Sequence, residues 1–282
     1  MPTRTNPRHW RLLNASTIEA LPARLAHART RANADARKLA HADWLIRRKD
    51  DGRFIAVRRG DRLLPLFRNA LPSVLEDDFT DLAISAANPH GQHPIGGLTD
   101  RLDELGLDAD DYAQRVGLPL VPEPRSLGFA GFDRYRRPLW LTDPASAAWL
   151  DMQRAAREDD VELDAISGYR SHAYQLGIFR RKRERGLAID DILAVNAAPG
   201  FSEHHSGNAL DIGTSGEPPA EESFENTAAF AWLCENAAGF NFHLSYPRNN
   251  PHGIVYEPWH WCWSAGSVAR AEPSASATPV GR

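Results

Sequence analysis

Alternation of apolar and polar positions sets out most of the second half of the chain. In residues 208–213 Leu210 and Ile212 fall on one side of a period-two pattern, with Ala209, Asp211 and Gly213 on the other. That is the pattern of a short strand with one face on a core. Residues 259–263 alternate likewise: Trp259, Trp261 and Trp263 share a face, and His260 and Cys262 take the other. Residues 161–165 and 240–244 read as further strands, and the apolar stretch 138–142 opens the region. Residues 143–158 begin Asp143-Pro144 in the style of a helix start and carry Trp149, Leu150 and Met152 on one side. Residues 171–186 and 224–237 also predict helices. The expected fold class is α+β: a small antiparallel sheet with flanking helices over residues 126–264.

The first half is read differently. Ser16 to Glu19 has the form of a capping box and predicts a helix that kinks near Pro22 and continues to about Ala40. Residues 43–48, 49–52 and 53–59 predict strand, turn and strand. Residues 1–70 therefore form a basic helix-and-hairpin extension of mixed α/β character. Its arginine clusters read as solvated faces, with docking to an anionic polymer as the sharper alternative. Residues 71–125 form a helical connector: an acidic helix from Glu76, a turn-rich loop over 88–97 holding His90 and His93, and two short helices stopped by Gly106 and Gly117. Residues 119–124 form a linker into the next domain, and residues 265–282 a Ser/Ala/Pro tail expected to be disordered.

Composition removes some classes. A net charge of −4 argues against a nucleic-acid partner, and 42% hydrophobic residues permit a sizeable core. No apolar run approaches the ~18 residues of a membrane span, and the first ten residues lack the apolar core of a secretory signal. The two cysteines, Cys234 and Cys262, are read as buried thiols and not as a disulfide framework. Cys262 shares a face with His260 but lies ~6.5 Å along the strand, too far to complete the same metal site.

The chemistry concentrates in two short stretches. One holds Ser202, His204, Gly207, Ala209 and Asp211; the other holds Glu257 and His260. Two imidazoles, a carboxylate and a spare glutamate are the set an open catalytic zinc site requires, with a fourth coordination position left for water. Gly207 suits a turn that returns His204 towards Asp211. Pro258 between Glu257 and His260 rules out a helical H-E-x-x-H arrangement. The ligand set expected is His204, Asp211 and His260, with Glu257 as general base.

With Ser167-Gly168-Tyr169-Arg170-Ser171 upstream, Gln175 after it, and Pro199-Gly200 before the first metal stretch, the chain resembles the zinc D-alanyl-D-alanine carboxypeptidases and dipeptidases of the VanY/VanX type. These are peptidases of family M15 on the hedgehog-like scaffold. The resemblance covers about residues 130–263. It implies zinc on His204, Asp211 and His260, Glu257 as base, and Arg170 as the group that stabilises the developing oxyanion. Gln175, Ser202 and Tyr169 are the candidate substrate contacts. The implied reaction is hydrolysis of the C-terminal D-Ala-D-Ala or D-Ala bond of peptidoglycan stem peptides. An L-alanyl-D-glutamate endopeptidase and a non-catalytic zinc-stabilised binding module remain as alternatives. The substrate implies the cell envelope or periplasm, and the missing signal leaves the cytoplasm open. Two departures touch substrate detail: Ser245-Tyr246-Pro247 where relatives carry Arg before Tyr-Pro, and His205 where they often carry Gln.

Overall fold

The computed structural model describes residues 10–26, 32–66 and 75–266. Its elements in chain order are β1 (Arg11–Asn14), β2 (Ile18–Pro22), α1 (Asn33–Ala40), β3 (Trp44–Arg48), β4 (Phe54–Arg59), β5 (Arg62–Pro65), α2 (Glu76–Ala87), α3 (Leu98–Leu105) and α4 (Ala109–Val116). There follow β6 (Ser126–Phe132), β7 (Pro138–Leu141), α5 (Asp143–Glu158), β8 (Asp164–Ser167), α6 (His172–Glu184), α7 (Ile189–Leu193), β9 (Ala209–Gly213), α8 (Ala228–Asn236), β10 (Phe242–Leu244) and β11 (His260–Trp263). The α+β class is as expected. Of the tail expected to be disordered over 265–282, residues 267–282 lie outside the described residues, as do residues 1–9 of the extension.

Two antiparallel sheets organise these elements. The smaller has the order β10-β11-β9-β8 and carries both metal stretches. The larger has the order β5-β4-β3-β2-β1-β6-β7. Because β1 pairs with β6, Leu12 opposite Leu127, the expected boundaries at residues 70 and 125 do not separate sheets. The extension is hydrogen-bonded into the hairpin that opens the downstream region, so it shares a folding unit with it.

The helix expected from Ser16 is instead β2 over Ile18–Pro22, followed by a 3₁₀ turn over Ala23–Leu25 and, further on, by α1. The capping hydroxyl is taken elsewhere: Ser16 Oγ donates to Asp81 of α2 at 3.5 Å, and beside it Thr17 donates from its amide and its hydroxyl to Asp78, at 2.8 and 2.5 Å. Burial on a sheet then overrides local propensity. Ile18 and Ala20 pack on one face of the large sheet and Leu21 on the other. Glu19 is drawn into a pair with Arg47 at 2.5 Å. The strand–turn–strand expected over 43–59 is present as β3 and β4.

The hairpin β6–β7 joins the cores by simple alternation. Leu139 and Leu141 face the core under the small sheet, and Trp140 faces the core of the large one. In the first of these cores Leu210, Ile212 and Trp261 pack on Trp149 and Met152 of α5 and on Leu233 of α8. Full burial of such a side chain contributes about 1.5–3 kcal/mol, which fixes the small sheet's face and therefore where Asp211 and His260 point. The caps are local. Thr142, one residue before the expected cap, accepts from the Ala145 amide at 3.4 Å. Gly106 and Gly117 end α3 and α4 in left-handed conformation, as their positions predict.

Candidate metal centre and active site

Register brings the ligands together. Asp211 on β9 and His260 on β11 are directly opposed across the antiparallel ladder. Ser167 at the end of β8 sits on the other side of Asp211. His204 arrives on a short 3₁₀ turn over Glu203–Ser206, which Gly207 ends at φ 72°. A Cβ at Gly207 would lie 2.4 Å from Leu127 Cδ2, so both conformation and space require glycine there. One potential ligand atom each from His204, Asp211 and His260 lies within 4.8 Å of the others, and all three residues are buried.

Hydrogen bonds decide which nitrogens face inward. His204 Nδ1 donates to the Gly168 carbonyl at 2.7 Å, leaving its Nε2 lone pair 3.2 Å from Asp211 Oδ1. His260 Nε2 donates to Glu203 Oε2 at 2.9 Å, leaving Nδ1 3.2 Å from the same oxygen. Two lone pairs and a carboxylate oxygen thus converge on one point, an arrangement that calls for a cation. The protonation energetics agree. Burial opposes protonation of His260, yet its bonds to Asp211 and Glu203 push it up to about 10. Burial and the Arg170 charge bring His204 down to about 4. Burial works against ionisation of Asp211, but His204 and Arg170 hold its carboxyl well below the usual range. A borderline-soft divalent ion with two imidazole nitrogens and one carboxylate matches this donor set.

Around the three ligands stand the other expected residues. The Glu257 carboxylate lies 3.8 Å from His260 Nδ1. Burial, partly offset by His260, pushes it up to about 7. Arg170 donates to Asp211 Oδ2 at 3.1 Å, and its Nε is buried with no partner among the described residues. Gln175 and Ser202 line the same small cavity as Arg170, His204, Glu257 and His260. Gln175 Nε2 donates to the Ala197 carbonyl at 2.9 Å, so one end of its amide is spoken for.

Tyr169 stands apart from the metal cavity. Its hydroxyl does not face this cavity but donates to Glu123 Oε2 at 2.7 Å and accepts from Asn14 at 3.1 Å. Tyr169 and Arg170 are consecutive in an extended loop and so point to opposite sides. The hydroxyl joins a buried network. Lys49 Nζ donates to Glu123 at 2.5 Å and to the Ala15 carbonyl at 2.6 Å, and the His172 amide donates to Glu123 Oε1 at 2.7 Å. His205, next to the ligand, donates from Nδ1 to the Arg170 carbonyl at 2.7 Å and accepts from the Gly200 amide on Nε2. It fixes the Arg170 backbone and is not a ligand.

Sequence reading missed Glu203. A carboxylate that accepts the outer N–H of a metal-binding imidazole sets that ring's tautomer and orientation. Burial disfavours its ionised form, yet the bond from His260 holds it at about 2. Its place between Ser202 and His204 gave no spacing signal, since it acts across the sheet on a residue 57 positions away. Glu203 also lies within ligand distance of His243 and Cys262, which are register neighbours on β10 and β11. Both cysteines are free thiols; Cys262 is buried as expected, whereas Cys234 is exposed.

The comparisons with known proteins fall on this same stretch. The family model for VanY, D-alanyl-D-alanine carboxypeptidase, matches residues 139–266. The bifunctional D-Ala-D-Ala dipeptidase and carboxypeptidase VanXYC of Enterococcus gallinarum is 30% identical over 146 residues, 49% of this chain and 74% of that protein. The chain belongs to the VanY family of D-alanyl-D-alanine carboxypeptidases. YodJ of Bacillus subtilis is 34% identical over 132 residues, 43% of this chain. The chain spans a little under half of YodJ, 45%. A solved VanY structure in complex with Zn(II) is 29% identical, with 44% of this chain and 72% of that chain covered and a TM-score of 0.37. His204, Asp211, Glu257 and His260 all fall inside the VanY-matched residues, whereas β1 to β6 lie before them.

Proposed function

We propose that this chain is a zinc carboxypeptidase that removes D-alanine, singly or as a D-Ala-D-Ala end, from the C-terminus of peptidoglycan stem peptides, which assigns it to the cell envelope. The observation that carries the reading is the convergence of His204 Nε2, His260 Nδ1 and Asp211 Oδ1 beside a free Glu257 and an unpartnered Arg170 Nε. A purely structural zinc site closes its fourth position with protein and needs neither the glutamate nor the arginine. Membership of the VanY family supports the same reaction.

His204, Asp211 and His260 would hold the zinc ion, and Glu203 would keep His260 turned towards it. Bound there, zinc supplies Lewis acidity, polarising a carbonyl and acidifying water. Glu257 takes the proton of the attacking water as its oxygen adds to the amide carbon. A carboxyl tuned to about 7 suits both taking that proton and returning it. Arg170 donates to the carbonyl oxygen as it becomes an oxyanion, an interaction typically worth about 3–4 kcal/mol in the transition state. When the C–N bond breaks, Glu257 passes the same proton to the leaving amine, so the proton balance closes. Gln175 and Ser202 bind the terminal carboxylate of the substrate from the far wall of the small cavity.

Mass spectrometry of a pentapeptide muropeptide incubated with the protein tests the reading. The expected result is loss of one or two terminal D-alanines, abolished by a chelator and lowered about 10²–10⁴-fold in Glu257→Gln, a typical range for a general base. An internal cut, or no cleavage with zinc supplied, would overturn it.

A further inference from the structure

A cavity of about 420 Å³ lies beside the metal cavity. The two share Arg170, and consecutive residues of α6 divide them: Tyr174 lines the large cavity and Gln175 the small one. Its volume is in the range of natural ligand pockets, about 300–1,000 Å³. One wall comes from the extension, with Glu19, Arg47, Arg48 and Phe54. Further lining comes from Tyr135, Arg136 and Arg137 of the β6–β7 turn and from Trp140 of β7. The extension's share of the lining lies outside residues 139–266, whereas Trp140, Arg170 and Tyr174 lie inside them, so the pocket forms where this chain's extension meets the stretch shared with the family.

Its charges are unbalanced. The two lining carboxylates are each already paired, Glu19 with Arg47 at 2.5 Å and Asp133 with Arg137 at 2.6 Å. Arg48 holds Asp50 through Nε and Nη2, which leaves its Nη1, and Arg136 makes no ion pair among the described residues. The planar fork of Arg136 and the outer nitrogen of Arg48 therefore remain for a ligand's carboxylate. The aromatic surfaces between them, with Arg137 already stacked 4.8 Å over Tyr135, suit the apolar stems that carry such groups.

We infer that this second cavity binds the acidic segment of the substrate on the acyl side of the scissile bond. The inference rests on the carboxypeptidase reading, because such an enzyme leaves only one or two residues on the amine side. Everything else in the substrate must leave the metal cavity over its acyl-side wall, and Arg170 is the wall the two cavities share. The basic clusters of the extension thus act as a recognition surface for an acidic peptide.

Isothermal titration of the full chain with two probes tests this: an acetylated Ala-Glu-Glu amide and its neutral Ala-Gln-Gln counterpart. The expected result is acidic-probe binding at least tenfold tighter than neutral, weakened by salt, with a tenfold loss in the Arg48→Gln/Arg136→Gln double variant. Both side chains are exposed, so the variant keeps the wild-type melting temperature. Equal affinity for the two probes, no binding by the wild type, or acidic-probe binding unchanged in the variant would overturn the proposal. Neither probe has a D-alanine end, so the outcome is read independently of whether the chain hydrolyses muropeptides. If it does hydrolyse them, the ratio of kcat/KM for acidic over neutral D-Ala-terminated peptides falls about tenfold in the same variant.

Discussion

Two buried polar clusters lie on either side of the loop 168–171, and they differ in how their charge is closed. On one side Lys49 meets Glu123, and Tyr169, Asn14 and the His172 amide fill the remaining positions. Burial alone would neutralise Glu123, but Lys49 and the donors around it hold its carboxyl well below the usual range. On the other side Asp211, Glu203 and Glu257 face the single cation Arg170 and two imidazoles. The charge of the first cluster closes within the protein. The second is complete only with a positive charge from outside, either a proton on His260 or a divalent ion. Burial of polar groups therefore marks function only where the charges fail to cancel.

Breaking the closed cluster has the larger effect on the fold. Removing one member of a buried ion pair costs about 3–5 kcal/mol because the other is left uncompensated. Lys49→Met should lower the unfolding free energy in urea by that amount, and adding Glu123→Gln should restore part of it. A loss under 1 kcal/mol in the single variant would mean that the pair is not what closes this region. The open cluster predicts a smaller, more local change. Glu203→Gln should weaken zinc binding about 10–100-fold, as loss of an outer-shell partner of a metal-bound histidine does, with little change in melting temperature. Unchanged affinity in a zinc competition titration would remove Glu203 from the account.

The smallest effect sharpens the comparison through protons. In the metal-free protein Glu257 sits at about 7, His260 at about 10 and His204 at about 4. At pH 6 and at pH 8 alike, His260 is protonated and must lose its proton to ligate, while His204 is already neutral. Glu257 differs: it is about nine-tenths protonated at pH 6 and about one-tenth at pH 8. If it is ionised in the loaded protein, as a base must be, zinc uptake releases about 0.8 more protons at pH 6 than at pH 8. Calorimetry in buffers of different ionisation enthalpy measures this. The excess should vanish in Glu257→Gln.

The same contrast explains what the sequence made legible. His204, Asp211, Glu257 and His260 were readable because strands on a core enforce a period of two, and Leu210, Ile212 and Trp261 announce which face is inward. Gly207 was readable because its left-handed turn leaves no choice of residue. Glu203, Lys49 and Glu123 were not, because each acts on a residue 46 or more positions away through a pairing that no local pattern encodes. The face Tyr169 turns to was not legible for a related reason: its motif fixes its neighbour Arg170 but not the direction of the ring, which lines the second cavity and not the metal one. The helix expected from Ser16 to about Ala40 gave way over Ile18–Pro22 to a strand that pairs with β1 and β3, a partnership its local capping pattern does not encode. The β1–β6 pairing carries one sheet across the positions 70 and 125.

The most direct test of the central claim is the zinc content of the full chain after dialysis against a slight excess of zinc, for wild type and His204→Ala. The account predicts one tightly held zinc per wild-type chain and none in His204→Ala, with the unfolding midpoint of the metal-free variant close to that of the metal-free wild type. Zinc retained at full stoichiometry in His204→Ala would contradict it, because the ion would then sit somewhere other than the cluster whose charge is left open.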